Sequence, residues 1–201
     1  MIVITNPVRL NNETETINNL FLNGLEVLHI RKPDINLNDL RQLIENIDAK
    51  YHQQLALNQH HELASEFGIN RLHFTEKTRP EFEKRISSLN KNTEWLFSTS
   101  VHNMADFNTL PNAFEYAFLS PVYNSISKPS YKACFSDFEA IKSRTNVTAK
   151  LIGLGGINST NCRQTIEAGF DDVALLGVIW QADDAIAEFK KCQQALHNYV
   201  Q

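Results

Sequence analysis

The sequence predicts a closed barrel of eight parallel strands, each followed by a helix: a single α/β domain, a (β/α)8 TIM barrel, spanning residues 1–201. Three observations lead there. Short apolar runs recur eight times, segments of helical periodicity separate them, and the last segment is a long helical stretch. Runs too short for helices, rich in Val, Ile, Leu or Phe and largely free of charge, are what buried parallel strands look like. An open doubly wound sheet shares the alternation, but eight regular repeats favour closure.

The first run, around Val3, has no charged lead-in and no long hydrophobic region, so it reads as a strand and not as a leader peptide. Ile17, Leu20 and Phe21 then share a helical face, and Gly24 precedes the second strand, centred on Leu28. Leu37, Leu40, Ile44 and Ile47 form the next helical face, followed by a third strand near Ala56. Gly68 leads into the fourth strand at His73, after which Phe82, Ile86 and Leu89 recur at helical spacing. A fifth strand near Leu96, a helix carrying Met104 and Phe107, and a sixth strand at Ala117 follow. The polar, proline-bearing stretch SPVYNSISKPSY leaves that strand. Strands at Leu151 and Ala174, the latter introduced by Gly169, precede a final helix bearing Ile186, Phe189, Leu196 and Val200. Trp95 and Trp180 read as packing residues.

Composition excludes several classes of function. A net charge of -4 with no basic run gives nucleic acid no purchase. No stretch reaches the roughly 20 apolar residues that a membrane helix needs. Cys134, Cys162 and Cys192 are odd in number and lack metal-ligand spacing, which suits reduced thiols in a cytoplasmic protein. Pairing into a homodimer through the outer helices is compatible with the sequence, which does not fix the oligomeric state.

In such a barrel the loops leaving the C-terminal strand ends carry the chemistry. The segment LIGLGGINSTN runs a strand into Gly155 and Gly156, with Asn158 or Ser159 placed to cap the next helix. Gly177 follows the eighth strand. Glycines let backbone N–H groups approach an anion, and the last two loops are the usual phosphate site of this architecture. Arg31 closes the second strand and offers a fork for phosphate oxygens, with Lys128, Ser125 and Ser127 of the long loop as partners in an anion clamp. As a bare pattern, each of these also fits a solvated loop or a tight turn. His29 and His73 lie within strands, facing either the barrel interior or the helices, and are expected to be buried and satisfied. Ser100 and His102 have the residue types of a nucleophile and base, but their spacing favours Ser100 as a hydrogen-bond donor to substrate.

With these residues in view, the chain resembles the thiamine phosphate synthase family and its TenI-type thiazole tautomerase relatives. IVIT, LHIR, LALNQHHELASEFGINRLHF, STSVH, FLSPVYNSISK, LIGLGGI and DDVALLGVI match in order. The resemblance implies a transferase of thiamine biosynthesis. It would join hydroxymethylpyrimidine diphosphate to thiazole phosphate and expel diphosphate, with Mg2+ holding the leaving group. It places Arg31 and Lys128 in catalytic positions, and His29, Asn58, Ser100, Ser125 and Ser127 in substrate-binding positions. Gly155, Gly156 and Gly177 fall where the thiazole phosphate binds.

The chain also departs from that family. Asn58-Gln59 stands where the family has Asn-Asp, and FTEKTRP replaces the segment that supplies a second carboxylate, so no metal ligand is assigned. Pro33 replaces a lysine two residues beyond the arginine. The tautomerase relatives need no metal and share His-Ile-Arg, but Ser120-Pro121 stands where they carry a catalytic histidine. Three readings remain: synthase, tautomerase, and a catalytically silent barrel that binds thiazole or thiamine phosphate.

Overall fold

The computed structural model describes residues 1–86, 94–123 and 138–197. Eight parallel strands close in sequence order: β1 (Ile2–Ile4), β2 (Val27–Ile30), β3 (Leu55–Leu57), β4 (Arg71–Phe74), β5 (Leu96–Val101), β6 (Phe114–Leu119), β7 (Lys150–Leu154) and β8 (Asp172–Leu175). β8 returns to β1 through Ile2 opposite Ala174 and Val3 opposite Leu175. The closed (β/α)8 barrel is therefore the observed fold.

Strand periodicity sorts the core into two compartments. Val3, Leu28, Ile30, Leu55, Leu57, Leu151, Val173 and Leu175 face outward and pack with the helices. Ile2, Ile4, Tyr116, Phe118, Ile152 and Ala174 form a separate cluster inside the barrel. One irregularity governs this sorting on β6. Phe97 lies opposite Phe114 but Ser98 lies opposite Tyr116, so Glu115 is an extra residue on β6. The bulge turns Phe114 outward and Tyr116 inward.

The outer layer comprises α1 (Glu13–Leu22), α2 (Leu37–Glu45), α3 (Ala64–Phe67), α4 (Arg79–Ile86), α5 (Met104–Asn108), α6 (Cys162–Glu167), α7 (Gly177–Trp180) and α8 (Ala185–His197). Ile17, Leu20 and Phe21 of α1 are buried, as are Leu40 and Ile44 of α2, in line with their sequence spacing. Between β6 and β7 the described residues form a 310 turn, Glu139–Ser143, where the repeat pattern called for an α-helix. Trp180 anchors α7 to the first strand by donating its indole N–H to the Ile4 carbonyl at 2.7 Å. No helix among the described residues is long and apolar enough to cross a membrane. Cys162 and Cys192 are free and buried; Cys134 lies outside the described residues.

Candidate functional site

A cavity of about 660 Å3 opens where the strands end, within the usual range for small-molecule sites. Arg31, Gly155, Gly156 and Gly177 all line it, so β2, β7 and β8 bring these four expected site residues to one rim. Lys128, Ser125 and Ser127 lie outside the described residues.

Arg31 has an exposed side chain on a fixed backbone. Its N–H donates to Thr5 Oγ1 at 2.9 Å, and the Thr5 hydroxyl donates to the Arg31 carbonyl at 3.2 Å. Thr5 itself is fully buried, so β1 holds the end of β2 in place. Lys32, the next residue, points the other way because strand side chains alternate. It is buried against Glu13 at the barrel's outside, so it cannot replace the family lysine whose place Pro33 takes. Glu188 also lines the cavity, and Lys191 offsets its charge at 2.8 Å.

Gly155 has φ +102°, and a Cβ built there would stand 3.0 Å from Pro121 Cα. The close approach is structural: the Val122 N–H donates to the Leu154 carbonyl and the Tyr123 N–H to the Gly155 carbonyl, each at 3.0 Å. Gly155→Ala should destabilise the fold by about 1–3 kcal/mol through backbone strain and this clash. It should also weaken inorganic phosphate binding, as read by urea unfolding and calorimetric titration.

The expected capping by Asn158 or Ser159 does not occur. α6 starts later, at Cys162, and the Asn158 side-chain oxygen instead accepts from the Thr160 N–H at 2.8 Å and its hydroxyl at 2.7 Å. A tight polar turn thus separates the glycines from the helix, and any anion affinity there must come from the loop backbone.

Below the mouth, both in-strand histidines point into the barrel. His29 Nδ1 lies 3.1 Å from Asn58 Oδ1, and its Nε2 lies 2.7 Å from the Tyr116 hydroxyl. His73 Nδ1 lies 2.9 Å from Ser98 Oγ, and its Nε2 lies 3.0 Å from Ser100 Oγ. Burial pushes the His29 pKa down to about 3 and holds His73 well below the ordinary histidine value. Both rings are therefore neutral, and the two meet edge to face at 5.1 Å between centroids.

Ser100 consequently has a histidine partner, but not the one its sequence neighbourhood suggested. His102 Nδ1 instead contacts the Ser120 carbonyl at 2.7 Å, and its Nε2 lies 3.4 Å from Glu76. His73 is too weakly basic to draw the proton from Ser100, so the pair is a poor nucleophile–base dyad.

The metal positions can be tested on their donors. Gln59 gives its amide N–H to the Lys32 carbonyl at 3.0 Å, and the Glu76 carboxylate pairs with His102. Among the described residues no group of three or more His, Cys, Asp or Glu side chains is placed to hold a metal. A hard dication such as Mg2+ needs several oxygen ligands, and one carboxylate beside an imidazole does not fit it.

Two further residues of this region escape pattern reading. Arg79 is only 12% exposed and donates to the Ser100 carbonyl at 3.0 Å, bringing a second guanidinium to the serine's strand end. Its signal was its place in FTEKTRP, directly after a strand. Tyr116 is the other, concealed by the bulge on β6.

Comparison with known proteins shows the family and the fold. Residues 1–179 match the family model described as thiamine monophosphate synthase. A thiamine-phosphate synthase of Listeria monocytogenes is 27% identical over 73% of this chain and 69% of its own. One from Leptospira biflexa is 24% identical over 98% of this chain and 95% of its own. The crystal structure of thiamine phosphate pyrophosphorylase from Bacteroides thetaiotaomicron superposes with a TM-score of 0.77 at 26% identity, covering 98% of this chain and 97% of that one.

Proposed function

The chain belongs to the thiamine monophosphate synthase family, and from that premise we propose that it joins hydroxymethylpyrimidine diphosphate to thiazole phosphate. One observation carries the reading: Arg31 and the glycines of the last two loops line one cavity of suitable size. In this reaction the pyrimidine's exocyclic C–O bond breaks, the diphosphate leaves with the electron pair, and the thiazole nitrogen forms the new C–N bond. What the protein must supply is positive charge toward the leaving group and a fixed place for the second phosphate. Arg31 supplies the first, aided by Lys128, Ser125 and Ser127. The backbone at Gly155, Gly156 and Gly177 supplies the second. Because the carboxylate donors do not fit a metal, no step is assigned to Mg2+.

The same misfit favours a second reading, tautomerisation of a thiazole carboxylate phosphate, which needs neither metal nor diphosphate. One assay separates the two. With both synthase substrates supplied, diphosphate and thiamine phosphate should form in equal amounts. Arg31→Ala should lower kcat/KM by about 10–100-fold, the loss of one charge-assisted contact. Isomerisation of the thiazole carboxylate without diphosphate release would select the tautomerase. Saturable binding with no turnover in either assay would leave a catalytically silent binding protein.

A further inference from the structure

Among the described residues that line the cavity, Arg31 is the one cation and Glu188 the one anion. A carboxylate is an unexpected neighbour for glycine loops read as a phosphate site, yet the fold fixes it there. Asp184 caps the start of α8, its side chain accepting from the Ala187 N–H at 2.9 Å, and the Glu188 N–H donates to the Asp184 carbonyl at 3.1 Å. Phe189 and Cys192 are fully buried, which sets the rotation of the helix. Glu188 stands one turn before Cys192 on the same face, so its side chain leans inward and is only 20% exposed. Its Oε1 accepts from Ser159 Oγ at 3.3 Å, tying α8 to the loop that carries Gly155 and Gly156. Its Oε2 meets Lys191 at 2.8 Å, but that ammonium is not part of the cavity lining, and its side chain is 62% exposed. A carboxylate offers about four lone-pair sites, so these two partners leave Glu188 able to accept again.

We infer that Glu188 makes this cavity selective for a phosphoryl group that still carries a proton, a phosphate monoester in its singly protonated form. Such a group gives its O–H to the carboxylate in a short, charge-assisted hydrogen bond, while its other oxygens take the N–H groups of the glycine loops. An anion with no proton to give meets Glu188 oxygen against oxygen and like charge against like charge. Lys191 does not cancel that repulsion, because an ion pair with so solvated a partner is weak. A phosphate monoester loses its second proton at about pH 6, so it brings or takes up the proton at modest cost near neutrality. A sulfate ester, closely similar in size and shape, has none to bring. Glu188 is therefore a specificity residue, rejecting the wrong anion as much as it attracts the right one. It also leaves Arg31, the cavity's cation, to the more highly charged diphosphate.

This inference rests on the synthase reading and deepens it at the second phosphate. The test is calorimetric binding of thiazole phosphate and the matching thiazole sulfate ester to the whole protein. At about pH 6 roughly half of the phosphate ester keeps its second proton. Wild type should then favour the phosphate by roughly tenfold or more, because a site built to accept a hydroxyl proton rejects the analogue without one. Glu188→Gln keeps an oxygen for Ser159 and removes the charge, so it should bring the two affinities within about threefold, chiefly by gaining sulfate binding. Lys191→Met removes the ion pair and keeps the carboxylate, so the preference should persist. Equal affinities in wild type, or a preference that survives in Glu188→Gln, would overturn the inference and leave the synthase reading standing. Loss of the preference in Lys191→Met, as complete as in Glu188→Gln, would overturn it equally, since the ion pair and not the acceptor would then decide. Binding of neither ester by wild type would remove the synthase reading and this inference with it.

Discussion

Lys32→Met is expected to destabilise the protein by about 3–5 kcal/mol, measured as the urea unfolding free energy at neutral pH. Lys32 and Glu13 are each 2% exposed and form an ion pair in the outer layer. The ammonium group is fully engaged, donating to Glu13 Oε1, to the Asn6 carbonyl at 2.7 Å and to the Val8 carbonyl at 3.0 Å. The carboxylate is less well served, since Glu13 Oε2 is buried with no hydrogen-bond partner. Burial is the largest influence on both groups, raising the Glu13 pKa and lowering that of Lys32. Removing the lysine strands a carboxylate in an apolar layer and frees the β1–α1 loop. Asn6 and Pro7 of that loop line the cavity, so the variant should also bind phosphate more weakly than its loss of stability alone explains. Adding Glu13→Leu should recover much of the stability, because a buried ion pair exchanged for apolar packing is often close to neutral. It should not recover phosphate affinity, since the two loop carbonyls remain unheld. Full recovery of both would show that Lys32 has no part in shaping the mouth.

The barrel was legible in the sequence because its signals are local and repeated. Each apolar run became a strand, and Gly24, Gly68 and Gly169, read as helix stops, all have positive φ. The rim assignments of Arg31, Gly155, Gly156 and Gly177 followed from one rule, that strand ends carry the site, and the cavity gathers all four. What stayed hidden depended on non-local geometry. Counting by twos from Phe114 puts Tyr116 on the helix side, and only the bulge at Glu115 reverses it. Without Tyr116 inside, the hydrogen-bond partner of His29 Nε2 stays out of view. The partner of Ser100 was similarly out of reach. His102 is two residues away in sequence, whereas His73 comes from the neighbouring strand, where Ser98 lies opposite it and Ser100 two residues further along. The helix cap after Gly156 failed because Asn158 has a closer use, folding its own turn onto Thr160.

The second large effect is acid sensitivity. His29 is neutral in the folded protein down to about pH 3, whereas in the unfolded chain it takes up a proton below about 6.5. In that interval the unfolded state binds more protons, so stability rises with pH. The His29 contribution is complete above pH 6.5 and is lost as the pH falls toward 3, by about 1.4 kcal/mol per unit. Between pH 6.5 and 5 this amounts to roughly 2 kcal/mol from His29 alone. His73 and His61, whose pKa values burial also lowers, act in the same direction. Restricting urea titrations to pH 5–7.5 keeps most carboxylates ionised, so the slope reports the buried imidazoles. In His29→Gln the unfolding free energy should fall less steeply across that window, even though its value at pH 7.5 is lower. The contrast lies between slope and intercept. A side chain that only fills space would shift the whole curve, while one whose proton is excluded by the barrel also flattens it. An unchanged slope would mean that water or a charged partner reaches His29, because a ring excluded from both stays neutral when folded and must flatten the curve when it is removed.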